Sequence, residues 1–155
     1  MKKESAAFLL GYLRSQKGEI ERILEKIKGV EPEGEEWSVY LGYQLYSLYC
    51  ALEDLFKEIA ATFESLIDDM SKHHTELLKR MTIEIPRIRP AVLSKESFTL
   101  LNELRSFSHF FIHSYNIELD EERLRSLKAR ILRGFDRIRS DIETFEAFLE
   151  GLVAT

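Results

Sequence analysis

The sequence predicts an all-α protein, an antiparallel bundle of four main helices and one short helix in a single domain of residues 1–155. Three observations predict this fold. Apolar residues recur at alternating steps of three and four over long stretches, which is the period of one helix face. The chain has only three prolines and seven glycines, so few positions break a helix. No stretch alternates apolar and polar residues as a half-buried strand does.

The first two helices each carry one continuous apolar stripe. The first is predicted over residues 3–28, with Gly29 as its stop. The second starts near Glu35, and its stripe runs as far as Leu66. Because sustained three-four alternation favours shallow crossing angles, we expect these helices to pack nearly antiparallel.

The pattern of long helices is interrupted in the middle of the chain. An acidic interruption follows the second helix, and Ser71 is predicted to cap a short third helix over residues 72–81. Two prolines then exclude helical geometry from residues 82–93. We expect an ordered, extended crossover there, because five apolar side chains have to pack: Ile83, Ile85, Ile88, Val92 and Leu93.

Two further helices complete the bundle. Ser94 is the predicted N-cap of a fourth helix over residues 95–115. Asp120, after a short loop, is the predicted N-cap of a fifth helix over residues 121–152.

The second helix carries more aromatic residues than one core stripe can hold. They are Trp37, Tyr40, Tyr43, Tyr46 and Tyr49. A second apolar face on a helix indicates a partner surface, and we expect a homodimer.

Composition narrows the classes of function. No apolar run reaches the roughly 18 residues of a membrane span, and the first residues lack the apolar segment of a signal peptide. The single cysteine excludes an intrachain disulfide. We therefore expect a cytoplasmic protein without membrane contact.

The charge is unevenly distributed. The net charge is −5, yet residues 72–139 hold 14 Lys and Arg against 9 Asp and Glu. A local positive field is compatible with a nucleic-acid partner, and equally with an ordinary solvated helix face.

The fourth helix contains the densest group of polar residues capable of catalysis or ligand binding. Arg105, His109 and His113 follow one another at steps of four, and Tyr115 lies just beyond. Each step rotates about 40° and rises about 6 Å, so the three form a slowly spiralling stripe in an apolar helix. Such groups are costly to bury unless they have partners or a task.

Three interpretations compete for this stripe. In the first, His113 is an acid–base residue and Arg105 grips a phosphate, which suits metal-independent RNA cleavage by the 2′-hydroxyl. In the second, His109 and His113 ligate a metal, with His73 and His74 completing the site. No acidic residue lies within the stripe to help, so we favour a protein without a metal or other cofactor. In the third, both histidines are hydrogen-bonded core residues.

The stretch L-R-S-F-S-H-F-F-I-H-S-Y, residues 104–115, resembles the signature of HepT-like proteins of the HEPN superfamily. That motif is an arginine, four to six residues, a histidine, one residue and a tyrosine, late in a helix of a small bundle. Residues 74–94 resemble the family's short helix and proline crossover, and residues 116–124 its entry to the last helix. The resemblance covers roughly residues 72–152.

The resemblance implies a homodimer whose motif helices face each other around a metal-independent ribonuclease site. It also implies a toxin held in check by a minimal nucleotidyltransferase antitoxin that adenylylates the motif tyrosine. Carried over, His113 is the catalytic histidine and Tyr115 the modified tyrosine, with Arg105 and His109 as candidate phosphate contacts.

One residue departs from the family pattern. The motif arginine is expected five residues before His113, where this chain has Ser108. Arg105 is separated from His113 by seven residues, outside the usual spacing. Either Arg105 or His109 takes over the phosphate contact, or the chain is a catalytically inactive binding module that contacts a nucleotidyltransferase or nucleic acid.

Basic residues elsewhere are candidates for guiding an RNA backbone to the site. They are Arg87, Arg89, Arg123, Arg130, Arg133 and Arg137. The alternative is a solvated face, or pairing with acidic residues of the chain or of its partner. Lys72, His73 and His74 are candidates for the border of the cleft.

Overall fold

The computed structural model describes residues 2–64, 74–115 and 118–155. Within these ranges it contains five helices and no strand beyond an isolated bridge between Ile85 and Arg89. The helices are α1 (Lys3–Lys28), α2 (Glu35–Phe63), α3 (His74–Met81), α4 (Lys95–His113) and α5 (Glu121–Ala154). The all-α prediction is confirmed.

The four long helices form a bundle in which neighbours run antiparallel. Glu21 pairs with Arg139, whereas Arg14, earlier in α1, pairs with Glu146 later in α5. Between α2 and α4, Gly42 lies against Phe111. The buried side chains are mostly leucine, isoleucine and phenylalanine from the predicted stripes, and they form one core. Burial of these stripes is the main force that holds the bundle together.

Two of the three predicted N-caps, Ser94 and Asp120, are present. The Ser94 hydroxyl accepts a hydrogen bond from the backbone N–H of Ser97. The Asp120 carboxylate accepts from the backbone N–H of Glu122 and Arg123. Each side chain satisfies amides that a helix N-terminus leaves without intrahelical partners.

Two helix ends differ from the prediction. Helix α4 ends at His113 rather than at residue 115, and Ser114 is extended, with its hydroxyl donating to the carbonyl of Phe110. Helix α5 continues to Ala154, two residues past the predicted end. The predicted Ser71 cap, the predicted start of the third helix at Lys72, and Leu66 lie outside the described residues.

The proline crossover is a tight turn rather than an extended segment. Ile85 and Arg89 bridge across it, and Arg87 has a φ of 68°. Only part of the expected apolar packing occurs: Val92 and Leu93 are buried. The side chains of Ile83 and Ile88 remain about half exposed because the turn directs them outward.

The helices carry no membrane signature. Within residues 2–64, 74–115 and 118–155, none combines the length and apolar character that a membrane span requires.

Candidate functional site

The two histidines of α4 lie together on its exposed face. The ring centroids of His109 and His113 are 4.5 Å apart, as expected for residues one turn apart. Neither imidazole forms a hydrogen bond with any residue in the described ranges. Phe110 and Ile112, next to them in sequence, are each about half exposed. The pair is therefore accessible, and within the described ranges neither histidine is a hydrogen-bonded residue of the core of one chain.

Arg105 is held at the side of α4 that faces α2. Its Nε donates to the Asn102 side-chain oxygen at 3.0 Å, and an Nη lies 3.5 Å from the Ser106 hydroxyl. Burial raises the pKa of Tyr49 on α2, Glu53 raises it further, and the charge of Arg105 acts in the opposite direction. Arg105 thus lies near Tyr49, about one turn before His109.

Asn102, which orients Arg105, was not among the predicted site residues. Its position could have indicated the contact, because residues three apart are neighbours on a helix surface.

Ser108 faces the interior of the bundle. The residue is 2% exposed, and its hydroxyl donates to the carbonyl of Leu104 at 2.8 Å. It continues the buried stripe of Leu101 and Leu104. An arginine at this position would have to place its charge within the core or bend around the helix, so the position expected for the motif cation is unsuited to one in this chain.

Ser106 is a position of α4 at which a motif cation would be exposed to solvent. It lies seven residues before His113. Seven residues make about two full turns and rise about 10.5 Å, so Ser106 and His113 lie on the same face. Six residues separate them, which is within the spacing of the motif described above.

Tyr115 lies beyond the end of α4. Its backbone forms a bend after the extended Ser114, and its side chain is fully exposed. The hydroxyl is therefore open to a modifying enzyme.

Four of the predicted arginines line two adjoining hollows between α4 and α5. The larger, of about 510 Å³, has Arg123 and Arg130 at its edge and Phe107 and Phe110 in its wall. The smaller, of about 340 Å³, is lined by Arg130, Arg133 and Arg137. Both are lined by Glu103 and Arg130, and we refer to the two hollows together as the α4–α5 groove.

Acidic residues interleave with these arginines. Arg130 pairs with Glu103, and Arg137 lies 3.4 Å from Asp141. Arg123 is 90% exposed and lies 3.9 Å from Asp120. The groove is thus of mixed charge, and Arg123 is the most exposed of these three paired arginines.

The two crossover arginines have opposite environments. Arg87 is exposed on the turn. The Arg89 side chain is fully buried and pairs with Glu64 at 3.0 Å. Its guanidinium also donates to the carbonyls of Arg80, Ile83 and Pro90. The prediction of Arg89 as an RNA contact is wrong, because its charge is used to hold the crossover against α2.

Three predicted candidates for the border of the site lie outside the described residues. They are Lys72, His73 and the side chain of His74. Within the described ranges, no group of three or more His, Cys, Asp or Glu side chains could hold a metal ion.

The aromatic face of α2 continues onto α4. Trp37 and Tyr43 are more than half exposed. The ring of Tyr46 lies 6.4 Å from that of Tyr43 and 6.2 Å from that of Phe111. Tyr49, in contrast, is buried. The exposed apolar surface is thus joined to the helix that carries the histidines.

Comparison with known proteins identifies the family of the chain. A family profile described as HepT-like protein matches residues 40–149. This range covers most of the chain and includes the whole stretch from Arg105 to Tyr115. No curated protein and no solved structure matches the chain. The profile match, together with the helical bundle, shows that the chain belongs to the HepT-like proteins of the HEPN superfamily.

Proposed function

We propose that this protein is the ribonuclease toxin of a toxin–antitoxin pair, acting in the cytoplasm as a homodimer that cleaves RNA without a metal. The observation that carries the proposal is the exposed pair of His109 and His113 within the part of the chain that matches HepT-like proteins. Histidine is suited to proton transfer near neutral pH, and both imidazoles are open to a substrate.

The reaction assigns each proton to a residue. The neutral imidazole of His113 takes the proton of an RNA 2′-hydroxyl, whose oxygen attacks the adjacent phosphorus. A 2′,3′-cyclic phosphate forms, the bond from phosphorus to the 5′-oxygen breaks, and that oxygen takes a proton from the imidazolium of His113 of a second copy. Arg105 and His109 contact the phosphate oxygens that gain charge.

A second copy of the chain completes this site. In one chain the histidines lie on an open helix face, flanked by the half-exposed Phe110 and Ile112. Trp37 and Tyr43 extend the exposed apolar surface onto α2. Exposed apolar patches of this kind are typical of protein interfaces, and pairing of two α4 helices would enclose the histidines in a cleft.

The groove between α4 and α5 supports a path for the RNA backbone. Arg123, Arg130, Arg133 and Arg137 lie along it, and Phe110 joins its wall to the histidine face. Phosphates can replace Glu103 and Asp141 as partners of these arginines, while aromatic rings stack on unpaired bases. Arg87 is exposed and remains a candidate contact.

Tyr115 is the proposed site of control. A minimal nucleotidyltransferase antitoxin would transfer AMP from ATP to the tyrosine hydroxyl, with release of pyrophosphate. The full exposure of Tyr115, two residues after His113, supports this role. The added nucleotide would bring bulk and negative charge to a cleft that has to hold a phosphate.

Intact-mass measurement tests the control step. After incubation with the antitoxin and ATP, we expect the wild-type protein and Tyr43→Phe to gain the mass of AMP. Tyr115→Phe should gain none, because it lacks the hydroxyl that accepts AMP. Tyr43 is the matched control because it is also exposed but lies on α2. Unchanged modification of Tyr115→Phe would remove this tyrosine from the proposal.

Cleavage of labelled RNA in the presence of a chelator tests the ribonuclease. Loss of a general acid or base typically costs 10²–10⁴-fold in rate, so His113→Ala should lose at least about 100-fold. Ser15→Ala, an exposed substitution on α1, should cleave like the wild type. Equal cleavage by His113→Ala and Ser15→Ala would contradict the assignment of His113.

A second candidate function is a catalytically inactive binding module on the same fold. The burial of Ser108 favours it, because the position expected for the motif arginine supplies no cation. Ser108→Arg is a poor test, since it would force a charge into the core. Ser106→Arg adds a cation on the exposed face of His113 within the motif spacing, with Ser106→Ala as its control.

Three results separate the candidates. Cleavage by the wild type that disappears in His113→Ala supports the ribonuclease. Cleavage by Ser106→Arg alone, lost again when His113→Ala is added, supports a wild-type binding module that lacks the cation. No cleavage by either protein, with helical content and unfolding unchanged, supports the binding module.

A further inference from the structure

His109 and His113 form a two-imidazole arrangement with a second chemical capacity. We propose that the pair is a chelating site for a late first-row divalent transition ion such as Zn²⁺. The site lies on the exposed face at the C-terminal end of α4. It supplies two nitrogen ligands from consecutive turns, the spacing that helical zinc sites use.

The distance between the rings fits a shared ion. With zinc–nitrogen bonds of about 2.0–2.1 Å in tetrahedral geometry, two imidazoles on one ion have centroids roughly 5 Å apart. The observed separation is 4.5 Å. Small side-chain rotations close this difference, and neither ring has to give up a hydrogen bond within the described ranges.

The ligand type selects the class of ion. Imidazole nitrogens suit zinc, copper and nickel, whereas magnesium and calcium require oxygen ligands. Among the described residues no carboxylate joins the pair in a cluster of three or more metal-binding groups. The other coordination positions are therefore left to water or to the same pair on a second copy, which would give four imidazoles.

Metal binding and the proposed cleavage exclude each other. A bound ion occupies the nitrogen lone pairs that His113 needs in order to accept a proton, so Zn²⁺ should inhibit the ribonuclease. This consequence rests on the proposed function, but the metal site itself does not. The two are measured separately, so that either can fail alone.

Calorimetric titration of Zn²⁺ into the untagged full chain tests the site. We expect saturable binding, with one ion for each chain or for each two chains, that weakens at least tenfold in His109→Ala and in His113→Ala. The chain offers a control in its one thiol, the half-buried Cys50. Cys50→Ser should bind like the wild type.

Two results would overturn the inference. One is binding that survives in both His109→Ala and His113→Ala, and the other is wild-type protein that shows no saturable binding. Cleavage assays on the same preparations keep the proposals distinct. A protein that binds Zn²⁺ through these histidines but cleaves no RNA retains the metal site and loses the ribonuclease.

Discussion

The surface between α1 and α5 and the histidine face of α4 are built in opposite ways. Between α1 and α5, Glu146 accepts from both Arg14 and Lys17, and Arg139 pairs with Glu21. On α4, His109 and His113 have no hydrogen-bond partner within the described ranges, and half-exposed apolar side chains flank them.

This difference indicates which surface has its polar groups paired within one chain and which is available to a partner. Exposed ion pairs contribute little to stability, about 0–1 kcal/mol each, so their main effect is to satisfy charges at a solvated surface. The histidine face leaves both polar and apolar groups exposed, as binding surfaces do. The comparison predicts that scaffold substitutions lower stability, whereas substitutions at the histidine face change binding and activity alone.

Arg89→Ala should give the largest loss of stability. The side chain is fully buried, and its removal leaves Glu64, whose side chain is 12% exposed, without its cation. Breaking one side of a buried pair costs about 3–5 kcal/mol. Urea unfolding of Arg89→Ala and of the exposed Arg87→Ala measures the contrast. Similar midpoints for the two variants would show that the buried pair does not hold the crossover.

Gly42→Ala tests the contact that supports the end of α4. A methyl group at Gly42 would lie 2.6 Å from the ring of Phe111, so that ring has to shift. Such overpacking costs about 1–3 kcal/mol, partly offset by the better helix propensity of alanine. Gly11→Ala, with nothing within 4 Å, should instead stabilise α1 by up to about 1 kcal/mol. Thermal unfolding of both variants should therefore shift in opposite directions, and shifts of the same sign would contradict the packing.

Glu146→Gln should have a smaller, pH-dependent effect. Burial raises the pKa of Glu146, but hydrogen bonds from Lys17 and Arg14 outweigh it and hold the pKa below its usual value. A depressed pKa stabilises the fold above the unfolded value of about 4.3, and this stability is lost as the pH falls through the folded value. Unfolding at pH 7 should show a loss of about 1 kcal/mol. The difference from wild type should shrink as the pH falls below about 4.3, and a constant difference would exclude the charge as its cause.

His109→Ala and His113→Ala should have the smallest effect on stability. Both side chains are exposed, and surface substitutions of this kind usually change stability by less than about 0.5 kcal/mol. Urea midpoints near that of the wild type, alongside lost zinc binding or cleavage, would sharpen the contrast with α1 and α5. A loss above about 2 kcal/mol would mean that the histidines serve the fold instead.

Much of the fold could be predicted because helix periodicity is a local property. The stripes gave the bounds of α1, and the Ser94 and Asp120 caps mark the starts of α4 and α5. The end of α4 could not be found in the same way. No glycine or proline follows His113, and the helix stops where the Ser114 hydroxyl bonds to the carbonyl of Phe110.

The candidate site was predictable where it depends on one helix alone. The spacing of His109 and His113 gives their contact, and the stripe of Leu101 and Leu104 already points Ser108 inward. The burial of Arg89 was not predictable, because it depends on Glu64, 25 residues away in sequence. Nothing local distinguishes it from the exposed Arg87.

The central claim is that exposed histidines of α4 cleave RNA through its 2′-hydroxyl without a metal. Mass analysis of the RNA ends after incubation in a chelator tests it most directly. We expect fragments ending in a 2′,3′-cyclic phosphate, absent with His113→Ala and absent when the 2′-hydroxyl at the cleaved position is replaced by hydrogen. Cleavage that needs added metal, or that leaves a 3′-hydroxyl and a 5′-phosphate, would contradict it.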